Sequence, residues 1–323
     1  MNKKIKEIGK SVLYPTLNVL DVIAPRLSTA FVQFFFRYRA LNDLHIPKEY
    51  RYDSFGTYVT LYDKEPSFYK KFLKTYCMDD DGLPMQVREG KKCYNVVTLA
   101  QFGLMEYGYY LTNHKDSHRK NCLCTAQALL RLQDDRGGWP YQFDFFHETM
   151  EYTLPSGWYS AMGQGQAISL FARANTLEKS ETYSTASHRA LQLLETPVEE
   201  GGLLTKIGDH YVLEEYPTNP ASYTLNGLIF AMIGLYDAAN AFQDATAKQL
   251  FWDMMQTLQE ILPLYDDDTY SCYDLSHLTN PPRSKNKDRK YHILHVRLLQ
   301  ALESIEHNDK ISFYIDKWGK RWR

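Results

Sequence analysis

Cysteine is scarce in this sequence, and the few cysteines are not spaced to bind zinc or to build a disulfide framework. The chain has 323 residues and five cysteines, an odd number, and no two of them form a Cys-x-x-Cys pair. Zinc ribbons and small secreted scaffolds depend on paired cysteines. We therefore expect reduced thiols in a reducing compartment, at Cys77, Cys93, Cys122, Cys124 and Cys272.

The sequence also lacks an uninterrupted run of the roughly 18 apolar residues that a membrane-spanning helix needs. The N-terminus is basic at Lys3, Lys4 and Lys6, but Tyr14 and Pro15 interrupt any signal-peptide core, and no clear cleavage site follows. We therefore expect a cytoplasmic protein.

One membrane hypothesis stays open, because an apolar run lies at 30–36 and both ends of the chain are basic. A basic amphipathic segment can hold a protein at the anionic inner leaflet. In the alternative, which we favour, residues 30–36 pack into the core. Peripheral contact with the inner membrane through the N-terminal segment is the second interpretation.

Excess charge of one sign and the common cofactor motifs are absent as well. The formal net charge is −2, so no overall field favours nucleic acid as a partner. There is no glycine-rich phosphate loop after a strand, no serine nucleophile elbow and no His-Glu-x-x-His motif. His292 and His295 have no cysteine nearby, so we interpret them as hydrogen-bonded side chains. We expect no metal and no cofactor.

What the sequence has in abundance is tyrosine, with 25 Tyr against 16 Phe. A phenol offers an apolar ring face for stacking and a hydroxyl for hydrogen bonding, which suits a groove that binds sugars. The alternative is a core that favours tyrosine for packing alone.

The hydrophobic pattern predicts a mainly α protein. Four segments are apolar nearly all round and read as buried helices, each followed by a helix with one polar face. Repetition at roughly 65 residues predicts an α/α toroid, an incomplete barrel of about four helical hairpins. The inner helices are 94–113, 157–176, 222–241 and 291–305, and the outer ones are 116–133, 180–195, 244–262 and 309–321.

Three connectors between these hairpins are rich in aromatic and β-branched residues, so we expect short β-strands at 139–145, 203–216 and 269–274. We divide the chain into an N-terminal helical or irregular segment, 1–80, packed on or beside the barrel, and an α/α-toroid catalytic domain, 81–323.

The inner helices begin with polar or aromatic turns. If they run parallel, their N-termini gather at one end, where backbone N–H groups favour an anion such as a carboxylate. The connector with Glu214, Glu215 and Tyr216 must lie over that end, and we expect Ser222 to cap the apolar run after it. The cationic loop 283–290 borders the same cleft, which favours a polyanionic substrate.

The third predicted helix contains two glycines, Gly163 and Gly165, which each cost roughly 1 kcal/mol relative to alanine in a helix. Close helix packing or a ligand near the backbone would offset that cost. Tyr159, Gly163 and Gln166 share a face of this helix.

Several blocks of the sequence, in order, resemble the glucuronyl C5-epimerases of heparan sulfate and heparosan biosynthesis. The resemblance covers about residue 80 to the C-terminus. The blocks are Leu99–Leu104, Gly137–Pro140, Gly157–Ser169, Glu214–Thr218, Leu225–Gly227, Leu262–Asp266, Tyr273–Leu275 with His277, and Tyr291–His292 with His295. There is no room for the β-sheet domains that animal members carry before the barrel, so the chain looks like a bacterial-type short form.

The resemblance implies an α/α barrel and reversible epimerisation of glucuronate to iduronate within a polymer, without a redox cofactor. The family's catalytic glutamate and tyrosines fall on Glu215, Tyr216, Tyr273 and Tyr291. We expect substrate contacts at Tyr94, Trp158, Tyr159, Gln166, Asn226, His277, Arg289, His292 and His295. Where animal members have Arg and Arg-Trp, this chain has Ser276 and Asp288-Arg289, which leaves the identity and sulfation of the polymer open.

The chemistry explains why such residues are needed. Carbon 5 of a uronate loses a weakly acidic proton, and epimerisation requires one group to take it and another to return it on the opposite face. A tyrosine base is handicapped by roughly 4 kcal/mol at pH 7, and we expect Arg289 to reduce this handicap, whereas Glu215 needs desolvation to be an effective base.

Other functions are compatible with the residues. A polysaccharide lyase begins with the same proton abstraction, and a catalytically silent glycan-binding protein needs only the groove. A glycoside hydrolase is disfavoured, because only Asp274 is available to pair with Glu215. The expected partner is an anionic polysaccharide, and the sequence leaves a homodimer open.

Overall fold

The computed structural model describes residues 51–59, 66–88, 90–267 and 269–322. The apolar run at 30–36 and the basic N-terminal residues lie outside the described residues, so the membrane hypothesis keeps its status as a prediction. All five cysteines are in the described part, and each is a free thiol.

The described residues form a mainly α protein, as the sequence predicts. The α-helices are α1 Pro66–Thr75, α2 Val96–Asn113, α3 Asp116–Leu132, α4 Ala161–Leu177, α5 Glu181–Glu195, α6 Leu225–Phe242, α7 Ala245–Ile261, α8 Ser276–Thr279, α9 Arg289–Ile305 and α10 Asp309–Trp322. Two 3-10 helices lie at Val198–Glu200 and Leu262–Tyr265.

The strands of the described residues are short and form three small antiparallel sheets. They are β1 Cys77–Met78, β2 Pro84–Arg88, β3 Lys91–Cys93, β4 Phe145–His147, β5 Tyr152–Leu154, β6 Leu204–Ile207 and β7 His210–Leu213. The sheet orders are β1-β2-β3, β4-β5 and β6-β7. The boundary proposed at residue 80 falls in the turn between β1 and β2, whose strands pair with each other.

The described residues form four helical hairpins that pack side by side in a series, here called the arc. Helices α2, α4, α6 and α9 contact one another in series, and each carries its outer partner, α3, α5, α7 and α10. The observed bounds agree with the predicted inner and outer helices to within four residues. The α/α toroid, as an incomplete barrel, stays a prediction.

Glycines let the two central inner helices touch through their backbones. A Cβ on Gly165 would lie 2.5 Å from the carbonyl oxygen of Phe230, and one on Gly234 would lie 2.3 Å from the carbonyl oxygen of Gly165. A Cβ on Gly163 would lie 2.6 Å from Cγ1 of Val96 on α2. Close packing therefore accounts for both glycines of α4.

Residues 51–59, here called the capping segment, cross the C-terminal halves of all four inner helices. Tyr107 of α2 donates to the carbonyl of Phe55 at 2.6 Å, and Arg173 of α4 donates to the carbonyl of Gly56 at 2.8 Å. Tyr52 bonds to Asp237 of α6 at 2.8 Å and, through its backbone N–H, to Ser304 of α9. The four inner helices therefore run parallel.

The opposite, N-terminal ends of the inner helices are closed by the connectors. The N–H of Ala161, the first residue of α4, donates to the carbonyl of Glu214 at 3.0 Å. The N–H of Leu225, the first residue of α6, donates to the carbonyl of Tyr273 at 3.0 Å. These bonds satisfy helix-end donors that would otherwise lack partners, and they fix two connectors over the same end of the arc.

Two local predictions were wrong. Ser222 does not cap α6, whose N-cap is Thr224; its hydroxyl instead donates to the carboxylate of Glu214 at 3.0 Å. In the connector at 269–274 the described residues form only an isolated bridge, between Cys272 and Lys287. The strands predicted at 203–216 are present as β6 and β7, whereas at 139–145 only the last residue begins a strand.

Among the described helices, α6 alone is long and apolar enough to cross a membrane by length and composition, and 72% of that stretch is buried inside the molecule. Its position between α4 and α9, with α7 outside, makes it the central helix of the core.

Candidate active site

A buried carboxylate lies where the connectors meet the inner-helix N-termini. Glu215 follows β7 and is 6% exposed, with its side chain against α6. A Cβ on Gly227 would lie 2.3 Å from Cβ of Glu215, so only glycine allows this approach. Asn226 donates to Oε2 of Glu215 at 3.2 Å.

Burial gives this carboxyl group an unusual acidity. Desolvation raises the pKa of Glu215 from 4.5 to about 7, although hydrogen bonds from Tyr216 and Asn226 favour the charged form. The group is therefore close to half ionised at neutral pH, which is the condition for an effective general base.

Three tyrosines with partly exposed side chains lie in a row beside this carboxylate. The hydroxyl of Tyr216 interacts with Glu215 and with the hydroxyl of Tyr273. Tyr273 interacts in turn with Tyr291, and the two ring centroids are 4.3 Å apart. The structure thus brings together all four residues that the family resemblance marks as catalytic.

Each of these three phenols holds its proton tightly. Burial is the main cause, and the negative charge of Glu215 adds to it, so the pKa values of Tyr216, Tyr273 and Tyr291 are all raised. The expectation that Arg289 would make a tyrosine a better base stays a prediction, because the causes that raise these three pKa values are burial and the charge of Glu215. The tyrosines are neutral at pH 7, so each carries a proton that it can pass to a strongly basic carbanion.

An aromatic wall flanks Tyr216. Trp158 stacks on Tyr141 with centroids 4.0 Å apart, and Phe145 of β4 stacks on Tyr216 at 5.0 Å. The predicted contact residue Trp158 is itself 5.9 Å from Tyr216, centroid to centroid. Rings of this kind offer faces for a sugar, which agrees with the excess of tyrosine in the chain.

Sequence reasoning missed three members of this wall, Tyr141, Phe145 and His147. All three lie in the connector between α3 and α4, where the aromatic residues predicted strands but not the direction of any side chain. The pairing of β4 with β5 defines the side-chain directions that the sequence left open. Phe145 and His147 are on one face of β4, and Phe146 is on the other face, where it is 56% exposed.

Two further carboxylates are buried close by, but both are engaged within the protein. Glu214 accepts hydrogen bonds from Tyr223 N and Ser222, and burial raises its pKa to about 8. Asp274 accepts from Ser276, Thr149 and Asn286. With its oxygens occupied, Asp274 is a poor partner for Glu215 in glycoside hydrolysis.

Backbone donors at the helix N-termini are less available to a ligand than the sequence suggested. The first N–H of α4 and that of α6 bind connector carbonyls, and Asp288 caps α9 by accepting from the N–H groups of Lys290 and Tyr291. Protein groups therefore take donors that we expected to face a substrate carboxylate.

Some predicted substrate residues lie outside this cluster. The hydroxyl of Tyr94 donates to Asp79. The hydroxyl of Tyr159 donates to Asp134 at 2.5 Å. Gln166 is fully buried on α4, and its amide has no hydrogen-bond partner among the described residues.

His292 and His295 are also away from solvent, because their side of α9 faces α10. Both are fully buried. Nδ1 of His292 accepts from Ser271 N at 2.8 Å and its Nε2 is 3.2 Å from the carbonyl oxygen of Trp318, while His295 bonds to the hydroxyl of Ser271. Burial lowers the pKa of His295 to about 3. This agrees with the interpretation of hydrogen-bonded histidines and gives them no open face toward a sugar.

The cationic loop is partly neutralised by the protein's own acids. Lys285 and Lys287 both pair with Asp267, at 3.0 and 2.9 Å, and Arg283 pairs with Glu151. The ammonium of Lys290 lies 5.2 Å from the ring centroid of Tyr291. Arg289 and His277, both predicted to contact substrate, are partly exposed, one at the start of α9 and the other in α8.

A separate surface cavity of about 690 Å³ lies between the β6–β7 hairpin and α7. Its lining includes Asp209, Asp253 and Glu260, which disfavour an anionic substrate. The tyrosine cluster is therefore the better candidate. Within the described ranges, no three His, Cys, Asp or Glu side chains are grouped to hold a metal ion.

The chain is similar to known proteins over the part that carries this site. The family model described as D-glucuronyl C5-epimerase C-terminus matches residues 133–320, more than half of the chain. A D-glucuronyl C5-epimerase of Caenorhabditis elegans is 31% identical over 243 residues, which are 70% of this chain and 39% of that protein. An uncharacterized protein of Methanocaldococcus jannaschii is 30% identical over 190 residues, 57% of this chain and 56% of that protein. The chain spans only part of each relative.

Among solved structures, a D-mannose isomerase matches with a TM-score of 0.52 at 13% sequence identity, over 79% of this chain and 71% of that one. At this identity the likeness shows the fold alone. The family match, in contrast, is a match of the sequence itself. It spans most of the arc and includes all four clustered residues, Glu215, Tyr216, Tyr273 and Tyr291. The chain therefore belongs to the D-glucuronyl C5-epimerase family, through the part that corresponds to that family's C-terminus.

Proposed function

We propose that this chain epimerises uronate residues at carbon 5 within an anionic, heparosan-like polysaccharide, converting glucuronate to iduronate. The observation that carries the proposal is the position of Glu215, a desolvated carboxyl group with a pKa of about 7, beside three neutral tyrosines. Membership of the family supports the reaction type.

The pKa of Glu215 and the pKa values of the three tyrosines assign the roles of base and acid. Ionised Glu215 takes the proton from carbon 5, and the electron pair delocalises into the adjacent carboxyl group of the sugar. A tyrosine on the opposite face of the ring returns a proton to carbon 5, which inverts its configuration. Tyr291, at the far end of the row from Glu215, is our candidate for this donor.

The row of hydroxyls also explains how the site resets. After one turnover Glu215 carries a proton and Tyr291 has lost one. The interactions Glu215–Tyr216, Tyr216–Tyr273 and Tyr273–Tyr291 connect these two groups without a break. Protons shifted along the row restore the starting state, and the same path in reverse makes the reaction reversible.

The charge that develops on the sugar carboxyl group needs a cation or donors. Lys290 lies beside Tyr291, and Arg289 precedes it at the start of α9. Asn226, which we expected to contact the substrate, donates to Glu215. We therefore assign the substrate carboxylate to the start of α9.

NMR of heparosan incubated with the protein in deuterated water tests the proposal. An epimerase incorporates deuterium at carbon 5 and produces iduronate signals. A lyase, which shares the first step, gives an unsaturated product that absorbs in the ultraviolet. A glycan-binding protein gives neither, and that result would refute catalysis at this site.

A further inference from the structure

One histidine in the aromatic wall has no role in the proposed mechanism. His147 is 5% exposed at the end of β4, and its ring packs edge-on against Tyr216 with centroids 5.0 Å apart and an interplanar angle of 77°. Among strand residues of the wall, it is the one with a side chain that can exchange protons or switch between donor and acceptor.

The hydrogen bonds of Thr149 fix the tautomer of this histidine. Thr149 Oγ1 lies 3.1 Å from Oδ2 of Asp274 and 3.3 Å from Nδ1 of His147. A hydroxyl has one proton to donate, and a carboxylate can only accept. The oxygens of Asp274 also accept from Ser276 and Asn286, as those of a carboxylate do. The hydroxyl proton therefore goes to Asp274, and the proton in the second contact comes from Nδ1 of His147.

With Nδ1 protonated, Nε2 of the neutral ring carries a lone pair and can only accept a hydrogen bond. Nε2 has no hydrogen-bond partner in the described part of the chain and is not sealed from solvent. Burial lowers the pKa of His147, against the opposite effect of Asp274 and Glu148, so the ring stays neutral at pH 7. Tyr216 on the adjacent connector faces the ring as a neutral phenol.

We infer that His147 is a substrate-binding residue whose Nε2 accepts a hydrogen bond from a hydroxyl of the sugar beside Tyr216. The lone pair repels the sugar carboxylate, so His147 orients the ring with its hydroxyls toward β4 and its carboxylate toward the start of α9. The inference rests on the proposed function, because it takes the same uronate polymer as ligand.

Nitrogen-15 NMR of protein labelled at histidine tests the tautomer directly and without turnover. We expect His147 to show the Nδ1–H form at pH 7, and its Nε2 resonance to shift when a heparosan oligosaccharide is added. Thr149→Val removes the acceptor for Nδ1–H and should mix the two tautomers, whereas Thr149→Ser should keep the wild-type form. Thr153→Val, at an exposed position of β5, is the matched control and should change nothing. An Nε2–H form in the wild-type protein would overturn the inference.

Kinetics then separate binding from chemistry. His147→Phe keeps an aromatic ring but offers no acceptor, and we expect KM for the oligosaccharide to rise about tenfold with a smaller change in kcat, the effect of losing one buried hydrogen bond. His147→Gln can present an oxygen near the position of Nε2 and should recover part of the affinity. An unchanged KM in a folded His147→Phe protein would count against the inference.

The deuterium-exchange assay of the wild-type protein distinguishes the two levels of failure. If the wild-type protein exchanges carbon-5 hydrogen but the oligosaccharide leaves the Nε2 resonance of His147 unmoved, the inference fails and the proposed function stands. If the wild-type protein gives no exchange, the proposed function fails and the inference fails with it.

Discussion

At the scale of the residue, the protein uses burial to raise the pKa of one carboxyl group and of three phenols. The pKa of Glu215 rises into the neutral range, and those of the tyrosines rise away from it. One physical cause, desolvation, therefore makes the carboxylate a stronger base and keeps the three phenols protonated at neutral pH.

Glu215→Gln should abolish carbon-5 exchange while the protein stays folded. In the wild-type protein, exchange should increase as the pH rises through about 7, because only the ionised carboxylate takes the proton. Deuterium incorporation between pH 5 and pH 9 measures both effects. A wild-type profile that is flat across this range would assign the base to another group.

The same substitution should raise stability at alkaline pH. Because the folded pKa of Glu215 lies above its ordinary value, folded protein binds this proton more tightly than unfolded protein does. Stability therefore falls as the pH rises from 4.5 to about 7, by about 3 kcal/mol at most. In urea, the free energy of unfolding of Glu215→Gln relative to the wild type should be higher above pH 7 than below pH 4.5.

Tyr291→Phe should leave the fold intact and reduce exchange about 100-fold, the usual contribution of a positioned proton donor. The hydroxyl ends the row that begins at Glu215, while the ring is only partly buried. Tyr211→Phe, at an exposed position of β7, is the matched control and should retain full activity. Near-wild-type exchange by a folded Tyr291→Phe protein would remove this residue from the mechanism.

The four clustered residues were predictable because they lie in ordered sequence blocks that resemble a family. His147 was not, because it lies in a connector where β-propensity gives no register. His292 and His295 show a different limit. Helical periodicity places them on one side of α9, but it does not say whether that side meets the cleft or the outer helix. The structure puts α10 and Trp318 there.

At the scale of the element, the decisive contact is between α4 and α6, which glycines bring into backbone contact. Helix bounds were predictable from apolar periodicity to within four residues. Helix α4 begins four residues later than predicted, because Ser160 caps it by accepting from the N–H of Gly163. The residues against which each glycine packs were not predictable, since a missing side chain leaves no periodic signal. Only the packed structure shows that Gly165 lies against Phe230 and Ala231.

Gly165→Ala should destabilise the protein by about 1–3 kcal/mol, because its Cβ would meet backbone atoms of α6 that cannot move aside individually. Gly319→Ala in α10 is the control, since a Cβ there meets nothing within 4 Å. It should gain up to about 1 kcal/mol from helix propensity. Thermal and urea unfolding of both variants provide the comparison, and equal stabilities would contradict the packing argument.

At the scale of the whole molecule, a nearly neutral chain must still attract a polyanion. We expect affinity for heparosan to fall as salt increases. Lys290→Gln should weaken binding about fivefold, since Lys290 lies next to Tyr291, whereas Lys287→Gln should have a smaller effect because Asp267 already balances that charge. Titrations at two ionic strengths measure both, and affinity that is independent of salt would exclude the loop as a contact.

The other end of the arc is held by the capping segment through a buried ionic network. Arg173 and Asp237 are both fully buried, with 2.8 Å between Nη1 and Oδ2, and Tyr52 bonds to both. The arginine also donates to the carbonyls of Asp53 and Gly56. One guanidinium thus connects α4, α6 and the capping segment, so its neutralising partner stabilises the whole arrangement of inner helices.

Asp237→Asn keeps the size of the side chain but leaves the charge of Arg173 buried without its counter-ion, which costs about 3–5 kcal/mol. We expect a drop of that size in the free energy of unfolding, measured in urea. Asp116→Asn breaks a solvent-exposed pair with Lys120 and should change stability by less than about 1 kcal/mol.

Because the network lies at the C-terminal ends of the inner helices and the tyrosines at their N-terminal ends, Asp237→Asn protein that is still folded should keep the wild-type pH profile of carbon-5 exchange. A shifted profile would mean that the network and the site are coupled along the helices.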